Sequence, residues 1–244
     1  MTAADLSRTW ALVPLRGLED AKTRLGPELD AEERLELVLV MARRTLAATR
    51  GAGSIAGVVL VTADPAAARL AETYGARAIV QRLPGLNAAL REARSAALAA
   101  GATAILIVPI DLPAISSAAL DELLAGAGAA VDADALAAAG APGRPIVVAV
   151  PDRHGTGTNA LLVSPPAAIE PAFGEGSFLA HRTAAASAGA TFIERTGPLT
   201  LDVDTPADLL ASEVLDADTR AVDAPAVDAR TPGLDGAPRD RDAA

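Results

Sequence analysis

Hydrophobic positions along this chain fall into short continuous runs, separated by longer stretches with helical spacing. The runs predict strands at residues 10–15, 57–64, 77–81, 104–113, 144–151, 159–166, 191–195 and 199–204. The stretches between them predict helices at residues 31–50, 65–74, 86–101, 177–189 and 205–215, and a short helix from Ser116. Strands that alternate with helices favour parallel pairing. We therefore expect an α/β fold of three layers, with a mainly parallel sheet between two layers of helices.

Two segments do not follow this alternation. Residues 126–143 are rich in alanine and glycine and predict an excursion on the surface. Residues 216–244 are rich in alanine, aspartate and proline, a composition typical of a disordered acidic tail. We expect one folded domain over residues 1–215, with the very apolar run 104–113 at the centre of its sheet.

Composition narrows the class of protein. The 244 residues are 51% apolar and only 2% aromatic, and they include no cysteine, which excludes disulfides and thiolate metal sites. No apolar run reaches the length of about 18 residues that a membrane span needs. The N-terminal residues lack a signal-peptide pattern, so we expect a cytoplasmic protein. A net charge of −10 argues against DNA or RNA as a partner.

Candidate catalytic and binding residues are expected after the predicted strands, because open α/β sheets bind ligands beyond the carboxyl ends of their strands. Three basic residues follow the first predicted strand: Arg16, Lys22 and Arg24. Lys22 is the only lysine among the 21 basic residues. Either it reflects the arginine bias of the chain, or its compact ammonium has a role that a guanidinium fills differently.

Acidic residues follow two other predicted strands. Asp111 comes after six apolar residues in a run of seven. An ionised carboxylate is costly there unless it is paired or binds a metal, and the alternative is an aspartate that forms a turn. Asp202 and Asp204 would share one face of the strand 199–204, but Asp204 also precedes a predicted helix. Asp202 is thus the better second ligand, and oxygen ligands of this kind suit Mg²⁺.

Two segments that contain glycine are candidates for anion binding. Residues 155–160, GTGTNA, match a dinucleotide fingerprint, but a strand rather than a helix follows them, so we reject that interpretation. This segment, which includes Thr158, is then either a site for a phosphate or carboxylate, or a plain glycine turn. Residues 173–178, FGEGSF, place Gly174 before a helix that Ser177 is expected to cap, and such a helix start either binds an anion or is simply capped.

Two further polar side chains have open roles. Asn87 lies at the start of a predicted helix, as either a cap or a contact to a nucleotide. His181 lies one turn inside the helix 177–189, where it either touches an anion or faces solvent.

These segments occur together in one chain, in the order VPLRGLEDAKTRL, GLNAAL, IVPIDLP, DRHGTGTNALLV, FGEGSFLAH and LDVDTPADL. In this order they resemble the guanylyltransferases of coenzyme F-420 biosynthesis, which use phosphoenolpyruvate or 2-phospho-L-lactate. The resemblance covers about residues 10–212, and its GTGTN, DLP and DVDTPADL elements are specific in combination. The chain departs from the family at Arg16, where members commonly have lysine, and in the length of residues 126–143.

The resemblance implies a nucleotidyltransferase fold, similar to that of molybdopterin guanylyltransferases and glycosyltransferase-A enzymes, with GTP as the donor and Mg²⁺ as the cofactor. It implies that the metal is bound by Asp111 and Asp202, and the acceptor by Thr158, Gly174 and Ser177. It assigns nucleotide binding to Arg16, Lys22 and Asn87, and catalysis to Lys22, Arg24 and Asp111.

The implied reaction transfers GMP from GTP to the phosphate of phosphoenolpyruvate, releases pyrophosphate and gives enolpyruvoyl-2-diphospho-5'-guanosine. The acceptors 2-phospho-L-lactate and 3-phosphoglycerate compete with this assignment, because each presents a phosphate and a carboxylate. A nucleotidyltransferase for a sugar phosphate or a molybdenum cofactor is a competing interpretation within the enzymes, and a silent nucleotide-binding regulator is one outside them. The expected partners are GTP and a small phosphorylated carboxylic acid, and a homodimer is left open.

Overall fold

The computed structural model describes residues 4–18, 22, 25–26, 29–137, 144–204 and 208. The described residues do not include Arg24 or the predicted tail at 216–244. Of the predicted helix at 205–215 they include only Asp208. The strands are β1 (Thr9–Leu15), β2 (Ile55–Thr62), β3 (Arg77–Val80), β4 (Ala104–Ile107), β5 (Ile146–Pro151), β6 (Thr158–Ser164) and β7 (Thr191–Glu194). The α-helices are α1 (Ala31–Gly51), α2 (Pro65–Thr73), α3 (Leu86–Ala99), α4 (Ser117–Ala137) and α5 (Ser177–Ser187).

The strands form one sheet in the order β3-β2-β1-β4-β6-β5-β7. Strand β6 is antiparallel to its neighbours β4 and β5, and the other neighbouring pairs are parallel. Strand β4 lies at the centre of the sheet, as its apolar sequence predicts. The expected mainly parallel α/β sheet is confirmed.

Successive residues of each strand face opposite layers of helices, because side chains alternate along a strand. In β1, Ala11 and Val13 pack with α1 and α2, whereas Leu12 packs on the other face with α3. Helix α4 covers the first face at β4, β5 and β6, and α5 joins α3 on the second face. The predicted three layers are therefore confirmed. Within the described residues, no helix has the length and apolar character needed to cross a membrane.

Helices α1, α3 and α5 begin at the predicted residues, but the caps of α3 and α5 differ from those that the sequence suggests. Asp30 caps α1 in a capping box with the third helical residue. Helix α5 is instead preceded by Gly176 in a left-handed conformation with φ of 68°, and Ser177 is its first residue, so the predicted Ser177 cap is wrong. Asn87 is not a cap either, because the cap position of α3 is a glycine.

The alanine-rich segment is helical over much of its length. Residues 126–137 extend α4, so the predicted excursion at 126–143 is wrong for that part, and residues 138–143 lie outside the described residues. Alanine is the best helix former. Leu123, Leu124 and Ala127 also bury this helix against the sheet, which stabilises it beyond its intrinsic propensity.

The predicted strand at 199–204 does not form. Pro198–Thr200 is a turn of 3₁₀-helix, and the residues after it have no regular structure. The side-chain amide of Asn159 donates to the carbonyl oxygens of Leu199 at 3.1 Å and Thr200 at 2.9 Å. A side chain thus satisfies carbonyl groups that a neighbouring strand would otherwise pair.

A crevice is expected at the carboxyl ends of β1 and β4. The chain runs from β1 to β2 on one side, and from β3 back across to β4 on the other, which makes this the switch point of the sheet. Strand β4 ends at Ile107 rather than at residue 113, because Pro109 has no N–H group to continue the ladder. The chain then continues to Asp111 at this crevice.

Candidate functional site

A buried ammonium lies between two carboxylates at the switch point. Lys22 Nζ donates to Asp111 Oδ2 and to Asp204 Oδ1, each at 2.7 Å. The Lys22 side chain is 8% exposed. Burial acts to lower the pKa of Lys22, but the two carboxylates outweigh burial and raise that pKa. Lys22 is therefore protonated at neutral pH and holds two like charges together.

The backbone of Lys22 is in the left-handed region, with φ of 57°. A residue with a Cβ rarely adopts this conformation, which costs of the order of 1–2 kcal/mol. A hydrogen bond from Leu25 N to Lys22 O, at 3.0 Å, closes the turn, and Leu25 is fully buried. The surrounding structure thus offsets strain at the residue that carries the ammonium.

A third carboxylate, that of Asp202, lies near the same pair. Val203 N donates to Asp111 O at 3.0 Å, which joins the segment at 202–204 to the loop after β4. Asn159 Nδ2 lies 3.5 Å from Asp202 Oδ1. Burial, followed by the charges of Asp111 and Asp204, raises the pKa of Asp202. The structure therefore brings the three predicted acidic residues together, although not on a strand.

The donor chemistry of these carboxylates fits Mg²⁺, which prefers oxygen ligands and commonly combines one or two carboxylates with substrate phosphates. Across the described part of the chain, no group of three acidic, histidine or cysteine side chains is arranged to hold a metal ion by itself. Three carboxylates face one ammonium, so the cluster has an excess of negative charge. A cation that also binds phosphate oxygens would offset this excess.

A pair of buried hydroxyl groups lies where β6 and α5 begin. Ser177 Oγ is 3.3 Å from Thr158 Oγ1, and Thr158 Oγ1 is 3.0 Å from His181 Nδ1. His181 Nε2 accepts from Ala172 N at 3.0 Å, and the ring of Phe173 packs edge-on against the imidazole. Both ring nitrogens of His181 thus contact protein groups and its side chain is buried, so the expected contact with an anion and the expected exposure to solvent are both wrong. Burial lowers the pKa of His181 to about 4.

The carboxylate cluster and the hydroxyl pair lie at the same edge of the sheet. Strand β6 runs antiparallel to β4, so it begins at the edge where β4 ends. Thr158, its first residue, contacts His181 on α5, and the next residue, Asn159, contacts Asp202. Successive residues of one strand therefore support the two halves of the site.

Gly174 and Gly176 lead into α5 with φ of 135° and 68°, values that favour glycine. A Cβ on either glycine would meet nothing within 4 Å, so the backbone conformation and not packing requires them, and the space beside them is open. Among the hydrogen bonds of the described residues, none uses the N–H group of Gly174 or Gly176. The start of α5 thus presents free donors next to Ser177.

The GTGT segment is a turn organised by Asp152. This carboxylate accepts from the N–H groups of His154, Thr156 and Gly157 at 3.1, 2.9 and 2.9 Å. A Cβ on Gly157 would lie 2.6 Å from Asp152 Oδ2, so the close approach requires glycine. These N–H groups are already paired, and the turn joins the antiparallel strands β5 and β6. Of the GTGT segment, only Thr158 belongs to the hydroxyl pair.

Asn87 and Arg16, both predicted to bind the nucleotide, have different surroundings in the structure. Asn87 Nδ2 donates to Phe173 O at 2.9 Å, and Asn87 Oδ1 accepts from Phe173 N at 2.8 Å, so its amide ties α3 to the loop before α5. Arg16 is exposed and directly follows β1, at the crevice. The nucleotide contacts of both residues, like the role of Arg24, stay predictions.

Sequence reasoning did not assign two residues that build the site, Asn159 and Asp152. Asn159 is a polar residue in a run of apolar ones, and a buried amide needs hydrogen-bond partners, which is a usable signal. Asp152 precedes two glycines, and aspartate in that setting commonly organises a turn through its own side chain.

Solved structures show the class of fold. The chain superposes on a structure from Desulfovibrio desulfuricans G20, named as a nucleotide-diphospho-sugar transferase, with a TM-score of 0.63, 14% identity and coverage of 88% of this chain and 91% of that one. For the 4-diphosphocytidyl-2C-methyl-D-erythritol synthase of Anaerococcus prevotii the TM-score is 0.53, with 9% identity and coverage of 86% and 96%. The fold is thus the nucleotidyltransferase fold.

Sequence comparison shows the family. The model of the family described as guanylyl transferase CofC like matches residues 9–223. The chain is 43% identical to the phosphoenolpyruvate guanylyltransferase of Sphaerobacter thermophilus, over 82% of this chain and 90% of that protein. It is 41% identical to the protein of that name from Rubrobacter xylanophilus, over 84% and 93%. The chain therefore belongs to the CofC-like guanylyl transferase family, and the predicted resemblance and enzyme class are confirmed.

Proposed function

We propose that this protein transfers GMP from GTP to the phosphate of phosphoenolpyruvate, releasing pyrophosphate and giving enolpyruvoyl-2-diphospho-5'-guanosine, a step of coenzyme F-420 biosynthesis. The name phosphoenolpyruvate guanylyltransferase, carried by the Sphaerobacter and Rubrobacter relatives, supports this acceptor. The observation that carries the proposal is one sheet edge with two complementary clusters. One cluster joins carboxylates to Lys22, and in the other two neutral hydroxyls lie next to the free N–H groups at the start of α5.

The reaction brings several anions together. An oxygen of the acceptor phosphate forms a bond to the α-phosphorus of GTP, the bond from that phosphorus to the bridging oxygen breaks, and pyrophosphate leaves. The nucleophile is already an anion, so no general base is needed. The task of the site is therefore to position the groups and to offset their charge.

The carboxylate cluster faces the nucleotide. Asp111 and Asp202 would hold Mg²⁺, which would supply positive charge to neutralise the charge that develops on the phosphate groups. An ammonium has three N–H donors, and Lys22 uses two of them on Asp111 and Asp204. The third donor is available to an oxygen of the leaving pyrophosphate, and Arg16 adds positive charge at the end of β1.

The hydroxyl pair faces the acceptor. The Thr158–Ser177 pair and the N–H group of Gly174 offer neutral donors, so they would bind a phosphate or carboxylate without a strong ion pair. Such binding leaves most of the negative charge on the nucleophilic oxygen, which therefore stays reactive. Stronger binding that stabilised the ground state as much as the transition state would not raise kcat.

Pyrophosphate release tests the proposed function directly. Purified protein would be given GTP and Mg²⁺ with phosphoenolpyruvate, 2-phospho-L-lactate or 3-phosphoglycerate in turn. We expect release with phosphoenolpyruvate, and loss of that release when a chelator removes the metal. Release with one of the other acceptors alone would overturn the acceptor assignment. GTP binding without release for any acceptor would overturn the reaction and favour a silent regulator.

A further inference from the structure

His181 takes no direct part in the proposed reaction, yet both of its ring nitrogens contact protein groups beside the proposed acceptor residue Thr158. Its imidazole is fully buried, with Phe173 packed against it. One ring nitrogen faces the backbone of Ala172, and the other faces the hydroxyl of Thr158. A buried polar ring with two specific partners has an orientation that the surrounding structure determines.

The backbone contact determines which ring nitrogen carries the proton. The N–H group of Ala172 can only donate, so Nε2 of a neutral His181 must accept and carries no proton. The proton of the neutral ring is therefore on Nδ1, and Nδ1–H donates to Thr158 Oγ1 at 3.0 Å. The lowered pKa, about 4, agrees with a neutral ring at pH 7.

This tautomer changes how many protons the hydroxyl pair can offer a ligand. If Nδ1 were an acceptor, Thr158 would donate to it and Ser177 would donate to Thr158, so both hydroxyl protons would be used within the protein. With Nδ1–H as a donor, Thr158 Oγ1 accepts, and the contact between the two hydroxyls uses only one of their two protons. Among the described residues no other hydrogen bond involves these hydroxyls, so one proton is left for a ligand.

We propose that His181 is a positioning residue, which donates to Thr158 so that the Thr158–Ser177 pair keeps one hydroxyl proton for an anionic oxygen of the acceptor. The identity of that anion rests on the proposed function, whereas the tautomer does not. The proposal accounts for a buried imidazole one turn inside α5, in contact with β6 and with the loop before α5.

Two substitutions separate the two contacts of the ring. His181→Asn can place an amide N–H where Nδ1–H lies and so keep the donor to Thr158, whereas His181→Gln can place its amide oxygen where Nε2 lies and keep the acceptor for Ala172. We expect His181→Gln to raise the KM for phosphoenolpyruvate roughly ten-fold, since Thr158 Oγ1 loses the donor that directs its own proton towards the acceptor. The KM for GTP should not change, and His181→Asn should recover most of the affinity for the acceptor.

A double-mutant cycle with Thr158→Val tests whether His181 acts through that hydroxyl. In the Thr158→Val background, His181→Gln should raise the acceptor KM no further, because the hydroxyl that it positions is gone. Asn87→Ala is the matched control, since Asn87 holds the same loop through Phe173 without touching Thr158, and its effect should add to that of Thr158→Val. If the effects of His181→Gln and Thr158→Val on the acceptor KM were additive, the proposal would be overturned. It would also be overturned if His181→Gln and His181→Asn raised the KM for the acceptor and the KM for GTP equally.

A measurement without catalysis tests the tautomer. The chain has two histidines, His154 and His181, so ¹⁵N-labelled imidazoles give two sets of signals, and His154→Gln removes one of them. At pH 7 we expect His181 Nδ1 to be protonated and Nε2 not. A proton on Nε2 would overturn the proposal even in an active enzyme. An Nδ1 proton in a protein that releases no pyrophosphate would overturn the proposed function and leave the positioning role intact.

Discussion

The carboxylate cluster and the hydroxyl pair, which form the two halves of the candidate site, differ in charge and in what holds their groups in place. In the carboxylate cluster, three like charges are brought together from loops and a single ammonium, Lys22, holds two of them. In the hydroxyl pair, neutral groups lie at the first residues of β6 and α5, and a neutral imidazole sets their orientation. The first half depends on the balance of charge, and the second depends on the direction of hydrogen bonds.

This difference predicts different responses to mutation. A change of one charge in the carboxylate cluster leaves its neighbours uncompensated, and partly buried charges without partners are costly. A change in the hydroxyl pair removes a hydrogen bond whose net contribution is of the order of 1 kcal/mol. Substitutions in each half, taken in order of decreasing effect, test whether the halves are separable in this way.

The largest effect is expected for Asp111→Asn. An asparagine can still accept from Lys22, so the fold should stay intact, but the charge that would bind Mg²⁺ is lost. We expect kcat to fall about 10³-fold, within the range for loss of a major electrostatic contribution to catalysis. The measurements are pyrophosphate release and the thermal unfolding midpoint.

The matched control for that prediction is Asp121→Asn. Asp121 accepts from the N–H groups of Gly53 and Ser54 at the start of β2, at the opposite edge of the sheet. We expect this variant to keep its activity. If Asp111→Asn were as active as this control, the carboxylate cluster would not be the metal site.

Acid should affect the contributions of His181 and Asp202 to stability with opposite sign. The folded-state pKa of His181, about 4, lies below its ordinary value of 6.5, so the unfolded chain binds more protons as the pH falls from 6.5 towards 4. This buried imidazole therefore lowers the free energy of unfolding by up to about 3 kcal/mol across that window. Protonation of Asp202, whose pKa is raised, acts in the opposite direction.

Urea unfolding of wild type and His181→Gln between pH 7 and pH 4 measures the histidine contribution, because the carboxylates are common to both proteins. We expect the wild type to lose more stability than the variant as the pH falls. Equal losses would mean that the imidazole is protonated as readily in the folded chain as in the unfolded one.

Lys22→Met should lower kcat roughly 100-fold, because it removes the ammonium that would stabilise the leaving pyrophosphate. Lys22→Arg should lose less, since it keeps the charge but replaces a compact donor with a planar fork. In the absence of GTP, Mg²⁺ should stabilise Lys22→Met against heat more than it stabilises the wild type, because no ammonium competes for the carboxylates.

A suitable control for the lysine variants is Arg82→Met, which removes an exposed cation that is paired with Glu92. Neither its kcat nor its response to Mg²⁺ should differ from wild type. A fully active Lys22→Arg would show that the lone lysine reflects composition rather than function.

The fold could be predicted from the sequence largely because its information is local. Alternating apolar runs and helical spacings specify which segments are strands and helices, and the very apolar run 104–113 predicts the central strand. The failure at 199–204 has a physical cause. The segment contains enough apolar residues for a strand, but the carbonyl groups of Leu199 and Thr200 accept from the side chain of Asn159, which lies 40 and 41 residues earlier in the chain.

The site was predictable as a set of residues but not as a set of contacts. Asp111, Asp202 and Lys22 could each be chosen by type and position. The ion pairs that join Lys22 to Asp111 and Asp204 span 89 and 182 residues, and no local pattern encodes such pairs. The same holds for His181, whose contact with Thr158 depends on how α5 docks against β6.

The smallest effect is expected for Ser177→Ala, which tests how far the two hydroxyls act as a unit. The Ser177–Thr158 contact is long, at 3.3 Å, and Ala is a good residue for the first turn of a helix, so the fold should be unaffected. Loss of one weak hydrogen bond should raise the acceptor KM about three-fold and leave the KM for GTP unchanged. Without Ser177, Thr158 still accepts from His181 and keeps its own proton for the acceptor. A loss in Ser177→Ala as large as that in Thr158→Val would instead show that Ser177 is the direct donor, with Thr158 only orienting it.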